Sequence, residues 1–210
     1  MTASREDDRK PAHRPSRRQE LIRAAVVVFA RQGYAESSVE QIAEAAGVVP
    51  TAIYYHFGTK EELFHEALTY AMDEFSEAVT AVRTHGEPAG PDVLRQVVGT
   101  GWRWWESHPD ESLLIARYSQ STTGKALVLR TAWEERHQAR AYDYLDGVGG
   151  SRTGRVAREQ HAINTLRIRA MLDIILATEA ASLPGGMLAG YSSAELSEEL
   201  AEACVRLMTS

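Results

Sequence analysis

Two pairs in this sequence, Glu62-x-x-His65 and Glu134-x-x-His137, set a carboxylate and an imidazole one helical turn apart, the spacing with which di-iron bundles grip metal. Such a centre also requires a carboxylate from each of two further helices. With 29 acidic residues and seven histidines, chance pairs of this kind are expected, and Glu62 has a second explanation as a helix-capping residue, His65 as a surface one. Hydrolytic chemistry finds no nucleophile elbow. The single cysteine, Cys204, shares an apolar stripe with Leu196, Leu200 and Leu207, which makes it a small buried hydrophobe rather than a nucleophile. One cysteine also rules out an intrachain disulfide or a thiolate metal cage, and suits a reducing compartment. No catalytic residue, metal ligand or cofactor is assigned on this reading, and the chain is expected not to be an enzyme; a helical-bundle metalloenzyme is kept as the alternative.

The 210 residues are 44% hydrophobic and 25% charged, the balance of a globular protein rather than a disordered one. No apolar run approaches a membrane span. Met1 to Lys10 mix charges of both signs without an apolar stretch, so no secretory signal is read there, and a cytoplasmic protein without a membrane partner is expected. The net charge of -6 is unevenly spread: residues 1–60 hold nine Lys and Arg against seven Asp and Glu, residues 61–210 hold 14 against 22. A mildly basic head on an acidic body fits a protein that meets polyanions at one end, and equally fits ordinary scatter of surface charge.

The elements that must position any site all read as helix. Ser16/Gln19, Ser38/Gln41, Thr59/Glu62 and Ser192/Glu195 each place a hydroxyl three residues before Glu or Gln, the capping-box signature of a helix start. Leu63, Phe64, Ala67, Leu68, Ala71, Met72, Phe75, Val79 and Val82 recur at helical spacing and predict one long amphipathic helix from Thr59 to Arg83, ended by His85-Gly86-Glu87-Pro88. Pro91, the run Ser107-His108-Pro109, and Ser121 to Gly124 punctuate the next helices; Gly147 to Gly150 and Pro184-Gly185-Gly186 bound another over Arg152 to Ser182; the last runs from Ser193 to Met208. Residues 1–15, with Pro11, Pro15 and dense charge, are expected to form a flexible arm.

Near the amino end, Ser38 starts a short helix through Ala46, Gly47 supplies a turn, and Val48 to Phe57 forms a second short helix with Pro50 in its first turn. This is the spacing of a helix-turn-helix. Leu21, Ala25, Val28 and Phe29 on a preceding helix supply the apolar face that such a pair cannot bury alone. Geometry by itself leaves DNA binding and a plain helical domain about equally open. The run from Arg17 to Leu68 is more specific. Ala24-Ala25, Phe29, Gly33-Tyr34, Ser37-Ser38-Val39, Ile42-Ala43, Ala46-Gly47-Val48, Ile53-Tyr54-Tyr55-His56-Phe57 and Lys60-Glu61-Glu62-Leu63 closely resemble the DNA-binding head of the TetR family. The remainder is similar only in length and helical character.

The resemblance implies an all-α fold: a helix-turn-helix head over residues 16–58 and a helical ligand-binding and dimerisation domain over 59–210. It implies a homodimeric repressor that leaves a palindromic double-stranded DNA operator when a small effector binds. Tyr54, Tyr55 and His56 would meet phosphate or the groove wall, and Lys60 would add a point charge beside helix N–H groups. Ser37 and Ser38 offer hydroxyls at the start of the second helix, Ser38 either to phosphate or to capping alone. Base reading falls to Val49, Pro50, Thr51 and Tyr55, with apolar contact to thymine methyls, while Glu40 is expected to face solvent. Arg14, Arg17 and Arg18 either touch DNA or form a solvated charge run.

For the body, Ile163, Leu166, Met171, Leu172, Ile174, Ile175 and Leu176 occupy more than one face of their helix, implying a core on one side and a second subunit on the other. Aromatic residues concentrate in its middle. Trp105, Tyr118, Trp133 and Met171 are expected as walls of a cavity for an apolar or aromatic effector, with Asn164 or His137 as polar anchor; core packing is the competing reading for each ring. An activator without a sensor is the other alternative that keeps DNA binding.

Overall fold

A computed structural model describes residues 16–82, 90–118, 124, 126–136 and 155–209, the side chains of 155–161 and 209 excepted. Within them every regular element is helical: α1 (Arg17–Gln32), α2 (Val39–Ala45), α3 (Pro50–Phe57), α4 (Lys60–Thr80), α5 (Pro91–Ser107), α6 (Pro109–Tyr118), α7 (126–136), α8 (Arg155–Ser182) and α9 (Ser193–Thr209). The expected arm over 1–15 and the glycine cluster at 147–150 lie outside the described residues, as does His137. None of the described helices is long and apolar enough to cross a membrane.

Local chemistry sets the helix starts. The Ser16 and Ser38 hydroxyls accept from the N–H groups of Gln19 and Gln41, and both glutamines return a bond to the cap backbone, closing two full capping boxes. At α4 only the hydroxyl half forms, with Thr59 Oγ1 accepting from Glu62 N at 3.1 Å. α2 ends in a Schellman arrangement: Gly47 N donates to Glu44 O and Val48 N to Ala43 O, with Gly47 at φ +64°. An L side chain is strained in that conformation, so glycine fixes the sharp turn into α3. α4 stops at Thr80 rather than running to Arg83.

One apolar core runs from head to body without a break. Leu21, Ala25, Phe29, Ile42 and Ile53 are at most 1% exposed and join Leu63, Phe64 and Leu68 on the first half of α4; Met72 and Phe75 on its second half continue into Trp104, Trp105, Leu114, Ile115 and Trp133. At 21 residues, α4 is about 30 Å long and serves both ends. α5 crosses it closely at Gly101, where a Cβ would stand 3.3 Å from Val79 Cγ1 and 3.4 Å from Phe75 Cε2.

A second cluster holds α5, α8 and α9 together through Leu94, Val98, Trp102, Ile168, Met171 and Cys204, among others. Polar ties fix α9 antiparallel to α5: Trp102 Nε1 donates to Ser193 Oγ at 2.8 Å, and Arg95 Nε donates to Glu202 Oε1 at 2.5 Å. Cys204 is fully buried there, and burial first, then the nearby Glu179 carboxylate, pushes its thiol up to about 12. It packs as the apolar residue its stripe implied.

Candidate nucleic-acid interface

Two surfaces define α3. Ile53 and Phe57 point into the core, while Val49, Thr51, Tyr54 and Tyr55 face outward, Tyr55 at 85% exposed. Pro50 and His56 are half-buried, and the His56 ring meets Tyr55 edge-on with centroids 5.2 Å apart. Pro50 sits in the first turn, where its missing N–H leaves no helix bond unmade. Exposed aromatic hydroxyls and a threonine on a rigid two-turn helix can donate to phosphate and base edges, and the exposed valine offers apolar contact. Glu40 on α2 is exposed, as expected.

Behind α3, the geometry changes the reading of three residues. Ser37 was expected at the DNA surface, but it is only 5% exposed and its hydroxyl donates to Tyr34 O at 3.0 Å. Ser38 is half-buried and committed to its capping box. The Lys60 ammonium donates to Ser37 O and lies 4.5 Å from the centre of the Tyr34 ring. Carbonyl and ring face both attract a cation, so in the free protein Lys60 pins α4 to the corner before α2. Arg18 is also engaged internally, 2.9 Å from Glu66 and stacked 4.8 Å over Phe57, and Arg17 pairs with Glu20 at 2.9 Å. Arg14 lies outside the described residues.

That corner joins the head to α6. Tyr34 N donates to Tyr118 Oη at 2.8 Å, and Phe64 meets the rings of Phe29, Tyr34 and Tyr118 with centroids 5.2, 5.0 and 4.8 Å away. Arg31 grips Asp110 through two bonds of 2.9 and 3.1 Å. Tyr118, expected as a cavity wall, therefore anchors the head. Sequence reasoning noted Gly33-Tyr34 without giving it a role, and nothing local to it points to a partner on α6.

The other expected wall residues do not converge. Trp105 and Trp133 are buried in the first cluster, where Trp133 Nε1 donates to Met72 O and Ser76 Oγ at 3.2 and 3.0 Å. Met171 belongs to the second cluster, because the face of α8 that carries it turns toward α9. Asn164 is half-buried on α8. Glu62 and His65 line a groove of about 370 Å³ with Glu66 and Val128, whereas Glu134 is ion-paired with Arg130 and Arg169. Among the described residues no three His, Cys, Asp or Glu side chains are grouped to hold a metal ion.

A capped three-helix head with an exposed, ring-bearing second helix of the pair defines the helix-turn-helix class of DNA-binding domains. Residues 21–67 match the family model described as bacterial regulatory proteins, tetR family. The HTH-type transcriptional repressor NicS of Pseudomonas putida is 33% identical over 100 residues, 47% of this chain and 46% of NicS. The match spans between about a third and about a half of the length of the curated relatives. Among solved structures, a TetR-like transcriptional regulator from Rhodococcus sp. RHA1 superposes with a TM-score of 0.71 at 18% identity, covering 94% of this chain and 99% of that one. FadR from Bacillus subtilis, solved in complex with stearoyl-CoA, gives 0.70 at 18% identity, covering 89% and 97%. These likenesses extend the shared fold over the body.

Proposed function

We propose that this chain is a dimeric transcriptional repressor that binds a palindromic DNA operator through α3 and releases it when a small molecule enters the helical body. The observation that carries the reading is the outward face of α3, where Thr51, Tyr54 and Tyr55 stand exposed on a helix whose other face is locked into the core. Val49, Pro50, Thr51 and Tyr55 read base edges; Tyr54 and His56 set register on the backbone. Lys60 contributes through the N–H groups that its two internal contacts leave over, and by holding Ser37 and Ser38 in place. The name of NicS supports repression.

Duplication of the head rests on α8. Its inner face is buried in both clusters, yet Ile163, Leu166 and Ile174 are 47%, 70% and 39% exposed. An apolar stripe left on a helix suits a two-fold partner, which would set two copies of α3 about 34–36 Å or a larger multiple apart. Effector control passes through α4 and the Tyr34–Tyr118 joint, since both head and body pack on them; the ligand need only favour the form in which the recognition helices are wrongly spaced.

Selection of bound duplexes from a random pool tests this reading. Enrichment of an inverted repeat is expected, followed by its release in a small-molecule screen. Enrichment of no sequence would refute it.

A further inference from the structure

The body contains a buried carboxyl group that none of these roles uses. Glu179 on α8 is 1% exposed, and its Oε2 meets no hydrogen-bond donor among the described residues. It follows Leu176 by three residues on α8, and Leu176 packs in the tryptophan-rich first cluster. The helical period therefore puts Glu179 on the inner face of α8. From the other side it is near enough to Cys204 on α9 to raise that thiol. Glu179 thus lies where α8, α9 and the ring-bearing layer of α5 meet. The Trp105 Nε1–H in that same layer is likewise buried without an acceptor.

A carboxyl group in such a place costs stability that a leucine would not. Burial pushes it up to about 8, and no cation among the described residues is coupled to it. We propose that Glu179 is the polar anchor of the effector site, and that the effector is a lipophilic amine or amidine whose cationic head hydrogen-bonds to the carboxylate while its apolar part lies against the tryptophans.

The inference rests on the regulator reading above. Three features favour a cation. A charge-assisted bond to a carboxylate is strongest where water is excluded. The rings of Trp105 and Trp133, which share the first cluster with Leu176, would add attraction for a cationic head. The acidic balance of residues 61–210 draws cations toward the body and repels anions. An acidic effector would set one carboxyl group against another.

The test uses the full-length protein and two ligand series, naphthylmethyl and decyl, each as the amine, the alcohol and the carboxylic acid below its micellar concentration. Binding is read by tryptophan fluorescence and calorimetry. In at least one series the amine is expected to bind at least tenfold more tightly than its alcohol and its acid, and Glu179→Gln is expected to remove that preference. Circular dichroism checks the fold of the variant, with Glu179→Met as a second if the first does not fold. Equal binding of amine and alcohol, preference for the acid, no binding of any probe, or an amine preference that survives in the variants would overturn the inference. Operator binding by the wild-type protein is measured separately: if it is sound while the amines fail, only this inference falls, and if no duplex is bound, the regulator reading falls whatever the amines do.

Discussion

The Tyr118 hydroxyl accepts a 2.8 Å hydrogen bond from the backbone N–H of Tyr34, across 84 residues of sequence and across the joint between head and body. A side chain of α6 thereby holds the main chain just after α1. Any displacement of α6 is transmitted to the corner from which α2 and α3 depart.

Removing that hydroxyl isolates the joint. Tyr118→Phe keeps the ring on Phe64 but leaves the Tyr34 N–H without its acceptor, at a cost of about 1 kcal/mol. Urea unfolding should show a loss of that size, and hydrogen exchange at the Tyr34 amide should quicken. Unchanged exchange would mean the bond is not formed in solution.

Tyr55 separates function from stability. At 85% exposed, its ring packs on little of the core, so Tyr55→Ala should change stability by no more than about 0.5 kcal/mol. Operator affinity should fall at least tenfold in the same preparation, measured by fluorescence anisotropy.

Leu166 tests the pairing surface. Ile163, Leu166, Ala170 and Ile174 follow helical spacing on α8, and Leu166 is the most exposed of the three large ones. Leu166→Glu should yield a folded monomer in sedimentation at concentrations where the wild type is expected to be dimeric, because a charge on each side of the proposed two-fold contact meets its own copy.

Glu179 gives stability a pH dependence whose sign is fixed. Its folded value, about 8, lies above the ordinary 4.5, so in the unfolded chain the carboxyl ionises first. The folded state is most favoured below about pH 4.5 and loses that advantage as pH rises toward 8. Glu179→Gln should therefore be more stable than the wild type by a margin that widens from pH 5 to pH 8 in thermal melts. A constant margin would show that the carboxyl is solvated.

Much of the head was legible because its determinants are local. The Ser16 and Ser38 boxes close over three residues, and Gly47 sets its turn with bonds to Glu44 and Ala43. Stripes on α4 and α9 marked what they bury. Less could be read where helices cross. Nothing near Lys60 shows that its ammonium turns inward to Ser37 O, 23 residues back, nor does the sequence show that Tyr118 reaches Tyr34. Met171 and Trp105 looked like one wall because both are large and apolar; which cluster each joins depends on the rotation of α8 against α9. Glu179 carried a local signal, a carboxylate three residues after Leu176 on an apolar stripe, that composition alone hides.

The most direct measurement is the stoichiometry and salt dependence of binding to the duplex recovered by selection, with a scrambled duplex alongside. Two chains on one inverted repeat are expected, with affinity that falls steeply as salt rises and a preference of at least a thousandfold over the scrambled sequence. A monomer that binds both duplexes equally, or neither at low salt, would contradict the assignment of α3 as a paired groove reader.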